Sequence, residues 1–372
     1  MLSYCARLSL YLHMELKYVV LKNADGASVR LCNLGASVVD ICVPDRNLCL
    51  DDVLLGPDSS CAPQRGGAYF GKTVGRYANR IAHGRFSLPG APEVYTLACN
   101  NGAHHLHGGI ESLSEVLWTP STPERHADGS QSLRYSYVSP DGEEGYPGRM
   151  DLEVLYRWGS ENCLRIDFYA RTNKSTVVNL SNHCYFNLEG QGNQDAMNQR
   201  LQLFSEHYLP VDEGLIPTGV LTPVAGGPMD FRLPKALGQD IDADNPQLHI
   251  GGGYDHCFVL DADSTHAATS ENAEAPETLE HCRLAAVLTA PQSGRRLHVF
   301  SNQPGIQLYS GNFLSTAGPG KNGSPYPNRA GLALECQNFP DAPHHAHFPS
   351  SLLQPGESYH KTIIYLFSHD DA

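Results

Sequence analysis

The chain lacks a Cys-x-x-C pair although it holds eleven cysteines in 372 residues, which removes the common zinc and dithiol frameworks. The cysteines are odd in number and scattered from Cys5 to Cys336, so they read as reduced, mostly buried thiols of a cytoplasmic protein. No run of about 18 apolar residues is present, so no membrane span is expected. Positive charge is also short. Lys and Arg number 26 against 40 Asp and Glu, a net charge of −14, which argues against nucleic acid or an anionic membrane surface as partner. Long apolar stripes of 3.6-residue period are missing, so helices should be few. Residues 1–13, MLSYCARLSLYLH, lack acids, but their apolar run is short and broken. They read as a frayed extension rather than a secretory signal, with the fold starting near Met14.

Strand-like runs, by contrast, are frequent. They fall at Tyr18–Leu21, Ser28–Leu31, Ser37–Val43, Leu133–Val138, Met150–Trp158, Cys163–Ala170, Thr176–Leu180, Leu284–Leu288, Leu297–Phe300 and Ile306–Tyr309. Turn chemistry such as Asp25-Gly26, Pro140-Asp141-Gly142 and Asn322-Gly323 separates many of them. Hydrophobic residues make up 41% of the chain, enough for a sizeable core. Many short strands with such turns predict an all-β sandwich or barrel. No linker interrupts the pattern, so residues 14–372 are expected to form one domain. Asp261–Glu280, acidic and rich in Ala, Ser and Thr, is expected to be a disordered surface loop.

Several strands carry polar groups on one face only. In Gly331–Asp341, GLALECQNFPD, Leu332, Leu334 and Cys336 alternate with Ala333, Glu335 and Gln337. A carboxylate on a rigid strand beside a small residue suits a general base, although that strand alone reads more readily as an edge with Glu335 in water. In Val177–Asn187 one face carries Asn179, Ser181, His183 and Tyr185. Gln307 and Tyr309 oppose Ile306 and Leu308, and Asp255 points away from His256 and Phe258. Two loop-like segments, GRYANRI at 75–81 and NGAHHLHGG at 101–109, are also dense in polar groups. Asn and Asp are poor strand formers, so their recurrence favours a shared polar pocket over a solvated outer face. The clusters His104/His105/His107 and His344/His345/His347 lack an accompanying Cys or acid at ligand spacing, so no metal is expected. Gly251-Gly252-Gly253 is not followed by a helix pattern and makes no phosphate loop.

Read in order, these segments resemble the aldose 1-epimerase, or galactose mutarotase, family. The matches are GRYANRI at 75–81, LHGG at 106–109, DGEEGYPG at 141–148, NLSNHCYFNL at 179–188, PMDFR at 228–232, GGYDH at 252–256, PGIQLYSGNF at 304–313 and LECQNFPDA at 334–342. They span nearly the whole chain. The resemblance implies a large β-sandwich with a concave sugar-binding face. It also implies Glu335 as general base and His183 as general acid, with Asn79, Arg80, His107, Tyr185, Asp255 and Gln307 lining the sugar pocket. The implied reaction interconverts the α and β anomers of free hexoses such as galactose and glucose. The base takes the proton of the anomeric hydroxyl and the acid protonates the ring oxygen. The ring opens, C1–C2 rotates and the ring recloses, with no cofactor or metal. A monomer or weak dimer with a small sugar as its partner is expected. Three alternatives remain: a hexose-6-phosphate epimerase of the same fold, a non-catalytic sugar-binding protein and a zinc hydrolase. The first would need a cationic cluster for the phosphate, and the second should have lost Glu335 or His183.

Overall fold

A computed structural model of the chain describes residues 15–58, 68–90, 92–260 and 281–370. Residues 1–13 and the Asp261–Glu280 segment lie outside the described residues. Two antiparallel sheets dominate. The larger has ten strands, and its central run is Gln131–Ser139, Met150–Trp158, Cys163–Thr172, Tyr359–His369, Arg295–Ser301 and Arg283–Thr289. The smaller has six, in the order Tyr185–Phe186, Leu332–Gln337, Gly305–Tyr309, Asp255–Val259, His207–Leu209 and Thr222–Pro223.

Alternation along the strands dictates how the sheets meet. Val154, Ile166, Phe168, Leu297, Val299, Ile363 and Tyr365 of the larger sheet share one core with Phe258, Ile306, Leu308, Leu332, Leu334 and Cys336 of the smaller. Burying each such Leu or Ile contributes about 2 kcal/mol. The chain is thus a β-sandwich, and the other face of the smaller sheet carries the intervening residues of the same strands.

The expected strands form, with two differences. Thr176–Leu180 shortens to Thr176–Val177, and the whole 176–186 segment pairs in two-residue steps: with Leu352–Leu353, then Thr73–Val74, then the Glu335 strand. Asn179 causes the first break. Its side-chain amide donates to the carbonyls of Ala78 (3.1 Å) and Asn338 (3.3 Å), and its Oδ1 accepts from the Asn338 N–H (2.8 Å). Ser181 likewise turns to the Cys336 carbonyl at 2.8 Å. These two residues therefore tie segments together and do not belong to a polar pocket face. Second, the eleven-residue strand Tyr359–His369 was not among those expected, although Thr362, Ile363, Ile364, Tyr365 and Phe367 give it strong β preference.

Candidate active site

The six residues of the Leu332–Gln337 strand are all buried. Glu335 therefore stands neither on a half-buried face nor on a solvated edge. Register sets its neighbours: Tyr185, Ala333, Tyr309 and Asp255 form one row across four strands, and Glu335, Gln307 and Cys257 form the next. Ala333 is small enough to leave space between the two tyrosines. Over these rows lies a cleft of about 320 Å³ whose walls include Asn79, Arg80, His107, His183, Tyr185, Asp255 and Glu335. That volume is at the low end for small-ligand sites.

His183 reaches the same floor from the irregular 176–186 segment. Its Nε2 lies 3.5 Å from Glu335 Oε1, while Glu335 Oε2 and His183 Nδ1 are buried without hydrogen-bond partners. The His183 ring packs against Tyr185 (4.8 Å between centroids) and across His107 (5.3 Å, edge-on). Tyr69 packs against both histidines, at 4.7 Å from His107 and 5.8 Å from His183. Tyr69, Asn79, His107 and Leu215 all line the cleft and all have left-handed backbone, with φ between 49 and 61°. Four such residues in one wall cost about 1–3 kcal/mol each and mark a site the surrounding fold holds against strain.

The two loop-like segments meet here. Arg80 pairs with Leu106 and Ile81 with His105 in a short ladder, which sets Asn79 beside His107. Gly108, at φ +87°, packs on the Gly75 carbonyl so closely that a Cβ would lie 1.8 Å from the oxygen. Only glycine permits that approach. The 141–148 motif buttresses the same region. Arg76 donates from Nε to Ser139 Oγ (2.7 Å) and from its two terminal nitrogens to the carbonyls of Ser139, Pro140, Pro147 and Gly148. The Tyr146 hydroxyl meets His105 Nε2 at 2.6 Å, two residues before His107.

Arg80 donates to Asn101 Oδ1 at 3.1 Å and lies 4.0 Å from Asp255. Gln307 departs from expectation. It is not among the residues lining the cleft; its Nε2 donates to Asp255 Oδ1 at 2.6 Å and so orients the carboxylate that is, while its Oε1 has no hydrogen-bond partner. Tyr69, Asn101, Leu215, Tyr309 and Phe313 are among the wall residues that were not assigned to the pocket from the sequence. Asn101 and Tyr309 fall within segments recognised as polar. Phe313 closes the matched 304–313 motif, whereas Tyr69 and Leu215 carry no local signal.

Electrostatics follow from dryness. Burial first, then the Asp255 charge, raises the Glu335 pKa well above the carboxylate range, against the pull of Arg80. Burial lowers His183 to about 4. Burial also raises Asp255, opposed by Arg80 and the Gln307 hydrogen bond. At 3.5 Å, Glu335 and His183 would form an ion pair if both were charged, but burial disfavours the charged form of each. Burial thus works against the charged imidazolium that proton donation by His183 requires.

The histidine clusters divide. His105 is tied to Tyr146 and the Ala98 carbonyl, His104 lies beside His83, and only His107 enters the cleft. In the second cluster His344 does have an acid, since Asp341 Oδ1 lies 2.6 Å from its Nδ1, while His347 turns to the Gly219 carbonyl. Among the described residues, the donors of His107, His183 and Glu335 come within 4.8 Å of one another, close enough to face one cation.

A family model described as aldose 1-epimerase matches residues 17–366. The galactose mutarotase of Sus scrofa is 40% identical over 346 residues, covering 93% of this chain and 92% of its own. The aldose 1-epimerase of Escherichia coli K12 is 34% identical over 353 residues, covering 94% and 95%. The crystal structure of the GalM/aldose epimerase homologue from C. elegans superimposes with a TM-score of 0.79 at 29% identity, over 96% of this chain and all of that one.

Proposed function

The chain belongs to the aldose 1-epimerase family, and from that premise we propose that Glu335 and His183 are the proton-transfer pair of its reaction. The enzyme is an aldose 1-epimerase, an isomerase of small sugars. We further assign it free hexoses such as galactose and glucose, whose α and β anomers it interconverts. The observation that carries the assignment is the buried contact between His183 Nε2 and Glu335 Oε1, 3.5 Å apart at the floor of the cleft, with Glu335 Oε2 unpartnered.

A sugar bound over the pair brings hydroxyl donors to Glu335 Oε2 and lowers the cost of the carboxylate. The shared proton then moves to His183, and the imidazolium lies ready to protonate the ring oxygen. Glu335 takes the proton of the anomeric hydroxyl as the C1–O5 bond breaks. The open-chain stage again finds a protonated carboxyl and a neutral imidazole, the arrangement the dry cleft prefers. Rotation about C1–C2 and the reverse transfers complete the exchange. Asn79, Arg80, His107, Tyr185 and Asp255 hold the ring hydroxyls, with Gln307 behind Asp255. Each positioned acid or base contributes about 10²–10⁴-fold.

The nine cysteines among the described residues are all free, which supports a cytoplasmic location, and we take the working form to be a monomer or weak dimer. The test is the anomerisation rate on free and phosphorylated sugars together with His183→Asn. Galactose and glucose should turn over and glucose 6-phosphate should not, because Arg80 is already engaged by Asn101 and Asp255. His183→Asn should lose kcat with sugar binding retained; a change confined to KM would remove His183 from proton transfer.

A further inference from the structure

We infer that His107 works as a neutral histidine of fixed tautomer, a permanent Nε2–H donor to a sugar oxygen, and that the main chain of Asn79 fixes that state. The sugar as ligand rests on the reading above; the tautomer does not. Asn79 and His107 exchange two hydrogen bonds. The Asn79 N–H donates to His107 Nδ1 at 3.1 Å, and the His107 N–H donates to the Asn79 carbonyl at 3.0 Å. Their left-handed backbones, φ 61° and 49°, turn the two main chains toward each other, and the Arg80–Leu106 pairing next door holds them in register.

A ring nitrogen that accepts from an N–H carries no proton of its own, and a neutral imidazole has one proton to place. It must sit on Nε2. Protonating Nδ1 as well would set two N–H groups against each other and leave the buried Asn79 N–H without a partner. The groups facing the ring do not reverse this. His183 lies edge-on at 5.3 Å, Tyr69 packs at 4.7 Å, Arg80 and His105 flank it in the short ladder, and Glu335 is already paired with His183. Burial, with His183 and Arg80, holds the His107 pKa well below its ordinary value.

Two consequences follow. Proton traffic in the reaction is confined to Glu335 and His183, while His107 stabilises charge on an oxygen without exchanging its proton. The grouping of His107, His183 and Glu335 is also short of a lone pair: Nε2 of His107 is protonated and Nδ1 is occupied. The cluster therefore resembles a metal site in spacing only.

Long-range ¹H–¹⁵N spectra of the histidine-labelled enzyme test this directly, with His107 assigned by difference from His107→Gln. The expected result is an unprotonated Nδ1 and a protonated Nε2 that do not shift between about pH 5.5 and about pH 8.5. An Nδ1–H tautomer, or titration within that range, would overturn the proposal. If the variant fails to fold, the coupling across the hydrogen bond from the Asn79 amide assigns the same resonance in the wild-type protein. In kinetics, His107→Gln keeps a donor near the ε position and should lose less kcat than His107→Ala, for which about 10²–10³-fold is expected. Both should keep the pH limbs of the wild type, and disappearance of a limb would show that His107 exchanges a proton. A fixed tautomer together with an active Glu335→Gln enzyme would reject the proton-transfer pair and leave this inference standing.

Discussion

Asp255 shows how one residue's role depends on its supports. Gln307 donates to Oδ1 and Arg80 stands 4.0 Å from Oδ2, so the carboxylate is aimed into the cleft by two neighbouring side chains. Asp255→Asn keeps the shape but removes the charge-assisted bond to a sugar hydroxyl. Such bonds are worth about 1.5–3 kcal/mol, so KM should rise at least about tenfold while kcat changes less. Steady-state kinetics on galactose check the split. Equal falls in kcat and kcat/KM would instead place Asp255 in the chemical step. At this scale the sequence was most informative about residue type and least about depth. Glu335, His183, Asp255, Arg80, Asn79, His107 and Tyr185 were recognised by motif and share the cleft, whereas Gln307 was recognised equally well and stands behind it. Nothing in the local pattern around 307 says whether its amide meets a ligand or a neighbouring carboxylate. Tyr69 and Leu215 come from segments far apart in the chain, and their meeting over the cleft is a property of the fold.

Among the elements, the regular strands were legible because period-2 alternation and turn residues are local properties. Met150–Trp158 begins and ends where the pattern predicts. The 176–186 segment was not, because three partners and two inward-turned side chains, Asn179 and Ser181, override its alternation. Arg76 explains why two distant motifs accompany each other: the 75–81 segment supplies the guanidinium, and the 141–148 loop with the two residues before it supplies the carbonyls it holds. Arg76→Ala leaves those buried carbonyls without their donor and should destabilise the fold by about 3 kcal/mol. Because the loop supports His107 through Tyr146 and His105, kcat should fall as well. Urea denaturation gives the first quantity and polarimetry the second; an unchanged midpoint would mean that water replaces the guanidinium at no cost.

For the molecule as a whole, buried neutral histidines couple stability to pH. Burial lowers His256 to about 3, within the Asp255–Val259 strand, whose Phe258 and the preceding Tyr254 belong to the main core. An unfolded histidine titrates near 6.5, so below that pH the unfolded chain binds more protons than the folded one. The contribution of His256 is therefore fully present above about pH 6.5 and is lost progressively as the pH falls toward its folded value. His105 and His183, both lowered to about 4, act in the same sense. Glu335 and Asp255, with raised values, act in the opposite one: their contribution is present below the unfolded carboxylate pKa and lost as the pH rises. His256→Asn isolates a single group. Between about pH 7.5 and about pH 5 it should lose about 2 kcal/mol less stability than the wild type, measured from urea midpoints at each pH. An identical slope would show that His256 is solvated or paired in solution.

The account turns on Glu335 as the group that takes the anomeric proton. Glu335→Gln preserves side-chain size and the strand, and it removes the proton-accepting carboxylate from a site that already favours a neutral group. It should therefore fold with wild-type stability or better. The direct measurement is polarimetry of α-galactose with this variant at matched concentration of folded protein. The expected result is a fall of at least about 10²-fold in the rate of anomer interconversion with galactose still bound. A rate near that of the wild type would contradict the assignment of Glu335 and, with it, the mechanism.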